Sequence, residues 1–106
     1  MSMYKNQSSL PSSSSFAADQ NRRAADRAWL ASSLARYVRQ HRQDLDMTVA
    51  RAAELSGLVL SEWYALEAGW VPDDRKVQHA IAGTLQVDIS NVGILASIAA
   101  DNQLFC

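Results

Sequence analysis

Apolar and polar positions between residues 47 and 72 follow the pattern of two short helices joined by a tight turn. Thr48 suits the start of the first helix, because a threonine hydroxyl accepts from the free backbone N–H groups of a first helical turn. Gly57 interrupts the pattern, since glycine adopts the positive φ with which a chain leaves one helix for the next. The second helix is predicted from about residue 60 to Gly69, and Pro72 is a further stop signal.

Helical periodicity continues on the N-terminal side of this pair. Asp19 or Asn21 can cap a long first helix that ends at about Arg42. Its apolar stripe has the spacing of one helix face and consists of Leu30, Leu34, Tyr37, Val38 and His41. Trp29 lies beside that stripe, where it can cover the edge of the core.

Two more helices are predicted on the C-terminal side. Asp73 and Asp74 open one of them, since acidic side chains favour the positive end of the helix dipole. Its buried face is predicted from four-residue spacing and comprises Val77, Ile81 and Leu85. The last helix, capped by Asp88 or Ser90, is apolar on more than one side, and such a helix usually has two packing partners.

The chain of 106 residues, 48% of them hydrophobic, is predicted to form one small domain over residues 19–100. Residues 1–18 are rich in serine without periodicity, which predicts a disordered tail, and residues 101–106 are predicted as a C-terminal tail. No apolar run approaches the roughly 20 residues that span a bilayer, and no signal peptide is recognised, so a cytoplasmic protein without membrane contact is expected. Cys106 is the only cysteine, so neither an internal disulfide nor a cysteine-based metal site is expected.

From Leu34 to Ile98 the chain resembles the Xre/Cro-type, lambda-repressor-like helix-turn-helix domain of phage and bacterial repressors. The matching features are the basic run LARYVRQHRQ, the Met47-Thr48 pair, Ala53 before Ser56-Gly57, the LEAG that ends at Gly69, Pro72, and the LQVDI that ends at Ile89. The resemblance implies an all-α, five-helix fold with the helix-turn-helix motif at about residues 48–69. The first helix begins earlier than is usual in the family, so an N-terminal extension is expected.

The same resemblance implies double-stranded DNA as a partner and places the contacts. Phosphate contacts are expected from Thr48, Arg51, Arg75 and Lys76. The recognition helix would present Leu60, Ser61, Glu62, Tyr64 and Ala65 to the bases. Because the last helix commonly pairs two subunits in this family, a homodimer is expected through Val92, Ile94, Leu95 and Ile98.

Charge and residue type depart from a typical DNA reader. The net charge of −1 hides an asymmetry: residues 22–42 hold six arginines and one aspartate, whereas residues 52–74 hold five acidic side chains and no basic one. Val49 and Leu60 occupy positions that are usually polar in the family. The arginines of the first helix can reach the DNA backbone, contact an acidic partner or form a solvated face.

Two functions are therefore carried forward. The first is a DNA-binding transcriptional regulator that acts as a dimer. The alternative is a helix-turn-helix used as a protein-interaction module, such as an anti-activator or an antitoxin-like partner, with an apolar and aromatic interface formed by Leu60, Tyr64, Ala68 and Trp70. An enzyme is not expected, since the sequence has no catalytic constellation, phosphate loop or metal-ligand spacing, and no cofactor is predicted.

Overall fold

The structure, a computed structural model, describes residues 23–103, and this part of the chain is all-helical. Its helices are α1 (residues 23–31), α2 (Ser33–Asp44), α3 (Val49–Ser56), α4 (Leu60–Ala68), α5 (Arg75–Leu85) and α6 (Ile89–Gln103). The predicted disordered tail, the caps Asp19 and Asn21, and residues 104–106 lie outside the described residues. The all-α prediction is confirmed for the described part.

The predicted continuous first helix is interrupted at Ser32, which separates α1 from α2. In an unbroken helix the Trp29 carbonyl would accept from the backbone N–H four residues later. Here it accepts from the Ser32 hydroxyl at 3.1 Å and from Arg36 Nη1 at 2.7 Å, in addition to the Ser32 backbone N–H at 3.3 Å. Side-chain donors of this kind compete with the helix ladder, and the prediction of one uninterrupted helix is wrong at this point.

The predicted starts and stops of α3 and α4 and the predicted start of α5 are confirmed. The Thr48 hydroxyl accepts from the Arg51 backbone N–H at 3.1 Å, and Gly57 ends α3 at φ +77°. Gly69 ends α4 at φ +125°. The Asp74 carboxylate caps α5 by accepting from a backbone N–H at 2.9 Å. These boundaries follow from local backbone chemistry, which is why spacing along the sequence predicts them.

All five helices from α2 to α6 contribute buried side chains to one core. Its largest fully buried side chains are Trp63, Leu34, Leu66, Ile81, Leu85, Val38, Val92 and Pro72. Trp63 and Leu66 of α4 are fully buried in it, and Val49 and Leu58 are half-buried against the same cluster. Trp29, by contrast, is 62% exposed, so it does not cover the core edge.

The last helix both completes the core and leaves an apolar residue in solvent. Val92 and Ala99 are fully buried, whereas Ile94 is 59% exposed. The helix continues through Gln103, so three residues assigned to the C-terminal tail are helical. None of the helices in the described range has the length and apolar character that a membrane crossing requires.

Candidate functional site

The site is built around α4, which is fixed in the domain by the buried carboxylate of Glu67. Arg42 of α2 donates to both oxygens of this carboxylate, with Nε at 2.5 Å and Nη2 at 3.0 Å. The Trp63 indole N–H donates to the same group at 2.6 Å, and Arg39 donates to the Glu67 backbone carbonyl at 2.9 Å. A bidentate, charge-assisted contact of this kind sets the orientation of α4 against α2.

The Arg42 guanidinium also reaches the segment before α3, since its Nη1 donates to the Met47 carbonyl at 2.8 Å. The hydrogen bond to Glu67 raises the pKa of Arg42 above its usual value, although burial acts in the opposite direction. The Arg42 side chain thus links the segment before α3, the body of α2 and the end of α4. Sequence reasoning missed this group because its partners are 25 residues apart.

The opposite face of α4 is open to solvent. The five residues predicted for base contacts and Ala68 of the alternative interface are all exposed: Leu60, Ser61, Glu62, Tyr64, Ala65 and Ala68. Tyr64 is 58% exposed, and Val59, immediately before the helix, is 60% exposed. The five predicted recognition residues thus share one accessible surface, which is mostly apolar and aromatic.

The carboxylate of Glu62 has a structural role that the sequence analysis did not anticipate. It accepts from the backbone N–H of Val59 at 2.9 Å, which is the bond that the third residue of a helix supplies in a capping box, and so caps the start of its own helix. A base that hydrogen-bonds to Glu62 must share the carboxylate with this backbone group. The second oxygen remains the one suited to an outside donor.

Trp70 stands at the edge of the same face. Its backbone N–H donates to the Ala65 carbonyl at 2.9 Å, and its side chain is 39% exposed. Together with Ser61, Glu62 and Ala65 it lines a shallow groove. The four residues of the alternative protein interface, which are Leu60, Tyr64, Ala68 and Trp70, are all accessible.

The predicted phosphate contacts differ in how they are engaged. Thr48 uses its hydroxyl as a helix cap, and Arg51 pairs with Glu54 at 2.9 Å on the surface of α3. Arg75 and Lys76 are exposed at the start of α5, and neither side chain has an ion pair within the described part of the chain. These two residues offer positive charge to an outside anion.

The predicted dimer residues of α6 do not share one surface. Val92 is fully buried in the core of its own chain, so it has no surface to offer a second subunit, contrary to the expected interface. Leu95 and Ile98 are half-buried, and Ile94 is exposed between two grooves. One groove is bordered by Tyr37 and Asn91, and the other lies over Gly93, Ser90 and Ser97.

Within residues 23–103, no group of three or more histidine, cysteine, aspartate or glutamate side chains could hold a metal ion. Comparisons with protein-family models, with curated proteins and with solved structures found no match to this chain. The described residues define an all-helical domain with an exposed helix face on α4.

Proposed function

We propose that this protein is a DNA-binding transcriptional regulator of the Xre/Cro helix-turn-helix type, which acts as a dimer. The observation that carries the proposal is the pair α3 and α4. A capped helix, a left-handed glycine and a second helix follow one another, and the Glu67 carboxylate holds the second helix with one face fully exposed. In helix-turn-helix proteins that bind DNA, the second helix of such a pair lies in the major groove.

The exposed side chains of α4 can read bases by a limited set of contacts. The Ser61 hydroxyl can donate or accept, and Glu62 can accept from a cytosine amino group. Leu60 and Ala65 can pack on a thymine methyl group. In this proposal Arg75 and Lys76 hold phosphates. Arg51 pairs with Glu54 through Nη1 alone, so its other N–H donors can also contact a phosphate.

A second candidate, a protein-interaction module, is supported by a different property of the same face. Val59, Leu60 and Tyr64 are each about half exposed or more, and the half-exposed Trp70 lies next to them. Aromatic side chains at an exposed apolar patch often anchor protein partners. The absence of any basic residue over 52–74 also suits a partner other than DNA.

One binding experiment separates the two candidates. Fluorescence anisotropy of the full chain is measured against random duplex DNA and against duplexes from upstream of its own coding sequence, each at two salt concentrations. Salt-sensitive binding that is tighter for the upstream DNA supports the regulator. Lack of binding to every duplex at low salt would reject it and leave the interaction module.

Two variants sharpen this test. Lys76→Gln should weaken binding to all duplexes alike and reduce the slope of log K against log salt by about 0.9, the value for one phosphate contact. Tyr64→Ala should change the preference for upstream DNA over random DNA while leaving the salt slope in place. If neither variant alters binding to DNA that the parent protein binds, α4 and α5 do not form the DNA surface.

A further inference from the structure

The positive charge available to an outside partner is unevenly placed on this protein. All four arginines of α2 and α3 are engaged internally: Arg39 and Arg42 with Glu67, Arg36 with Trp29 and Ser32, and Arg51 with Glu54. Among the described residues, the basic side chains without such a contact are Arg75 and Lys76 on α5 and Arg23 and Arg27 on α1. Two of these four basic side chains of the described residues therefore lie on α1.

Burial of side chains does not explain how α1 is held against the rest of the domain. Every side chain from residue 23 to residue 30 is exposed, including Trp29 at 62% and Leu30 at 37%. A helix whose described side chains make no buried contacts is not held in place by packing. Its direction must therefore be set where it joins the rest of the domain.

Arg36 provides the first attachment at that junction. Its guanidinium lies over the Trp29 ring, 3.2 Å from the ring centroid. The same group donates to the Trp29 carbonyl at 2.7 Å and to the Ser32 hydroxyl at 2.6 Å. A cation–π contact combined with two hydrogen bonds holds the last turn of α1 at a defined angle to α2.

Gln103 provides the second attachment and places α1 relative to α4. Its amide nitrogen donates to the Ala31 carbonyl at 2.9 Å and to the Gly69 carbonyl at 2.8 Å. One nitrogen thus joins the end of α1 to the residue that ends α4. Helix α1 leaves the domain beside the C-terminal end of the proposed recognition helix.

From this arrangement we infer that α1 is a DNA-backbone arm whose Arg23 and Arg27 contact phosphates flanking the segment read by α4. The two arginines are four residues apart, so they lie on the same side of the helix. The inference rests on the proposed DNA-binding function. The arm supplies positive charge, which the residues around α4 lack. A phosphate backbone suits α1 as a partner, because contacts to phosphates require positive charges at a regular spacing and no shaped pocket.

The test compares the parent chain with the double variant Arg23→Gln/Arg27→Gln. Glutamine and arginine have similar helix propensity and both positions are exposed, so the fold should be retained, which thermal unfolding checks. Binding is measured by anisotropy over a range of salt on the tightest upstream duplex, and then on duplexes shortened stepwise from both ends. Asp26→Asn, on the same exposed helix, is the matched control and should not reduce the slope.

On the full duplex, the double variant should lower the slope of log K against log salt by about 1.8 per bound chain, or about 0.9 per lost phosphate contact. On the shortest duplex that still binds, parent and double variant should have the same slope, because the flanking phosphates are gone. This pair of results supports the arm.

Other outcomes overturn the inference in distinguishable ways. Equal slopes on the full duplex would show that the arm does not touch DNA, while leaving α4 as the reader. A slope difference that persists on the shortest duplex would place the arginines inside the recognised segment and reject the flanking contact. Failure of the parent chain to bind any duplex would reject the proposed function, and the arm with it.

Discussion

At the scale of single residues, Glu67 links the internal structure to the exposed face. Its side chain is only 10% exposed, and that of its partner Arg42 only 14%. A buried ion pair contributes little compared with a well-packed apolar pair, but removing one partner leaves the other charge without compensation. Since hydrogen bonding to Glu67 raises the pKa of Arg42, the stabilising charge is fully present below the unfolded-state pKa and is lost only as the pH rises through the folded one.

Glu67→Gln should therefore lower the free energy of unfolding by about 3 kcal/mol, because the Arg42 charge stays buried and unpaired. The matched control is Glu54→Gln, which removes a carboxylate from an exposed ion pair with Arg51. That change should cost less than about 1 kcal/mol. Urea unfolding followed by circular dichroism measures both, and similar losses in the two variants would contradict the role given to Glu67.

At the scale of elements, the turn between α3 and α4 depends on the backbone of one residue. Gly57 has φ +77°, and a Cβ placed there would meet no atom within 4 Å. The cost of a side chain at this position is therefore conformational and not steric. A Cβ at Gly83 would likewise meet open space, but Gly83 lies within helix α5, where its backbone has no positive φ.

The same substitution should consequently have opposite effects at the two glycines. Gly57→Ala should destabilise the protein by about 1 kcal/mol, since the left-handed conformation disfavours a Cβ. Gly83→Ala should stabilise it by roughly 0.5–1 kcal/mol, since alanine loses less entropy in a helix. Thermal unfolding of the two variants is the measurement, and a shift of the melting temperature in the same direction for both would refute this account.

The exposed face of α4 makes a prediction at the same scale. Tyr64→Ala should leave the melting temperature nearly unchanged, because the side chain is 58% exposed and lies outside the core. Trp63→Ala, one residue earlier and fully buried, should cost about 3–5 kcal/mol. Calorimetry on both variants tests whether the exposed face of α4 contributes to the stability of the fold. A large loss of stability for Tyr64→Ala would show that it does.

At the scale of the whole molecule, the proposed dimer depends on the exposed part of α6. Ile94→Asp should convert the dimer into a monomer without lowering the melting temperature of the subunit, because Ile94 is 59% exposed. Val92→Ala should do the reverse, costing about 2 kcal/mol of stability through a core cavity while leaving association intact. Sedimentation at micromolar concentration measures the oligomeric state of the parent chain and of both variants. A parent chain that is already monomeric would remove the dimer from the proposal.

Much of the local structure was predictable from the sequence. The Thr48 and Asp74 caps, the glycine turns and the outward face of α4 all follow from interactions within a few residues of one another. The predicted outward positions of α4 were confirmed because a helix that buries Trp63 and Leu66 must turn its other side to solvent.

The candidate site was less predictable where it depends on distant partners. Periodicity predicts that Val92 lies on an apolar face of α6. It does not show that this side of the helix packs into the core of its own chain. Likewise, a continuous helical pattern runs through Ser32, and the helix is interrupted where the side chains of Ser32 and Arg36 donate to the Trp29 carbonyl. Apolar spacing identifies a face and does not say which neighbour covers it.

By itself, the sequence determined the all-helical class, the positions of the turns and the acidic, apolar character of α4, since each depends on short-range propensity or on composition. The tertiary structure decided which charges are free. It placed Arg39 and Arg42 on Glu67 and left Arg23 and Arg27 in solvent, although all four belong to the same basic stretch. It also joined α1 to α4 through Gln103, across 72 and 34 residues. Such pairings depend on how the helices pack in space, which no local pattern along the chain encodes.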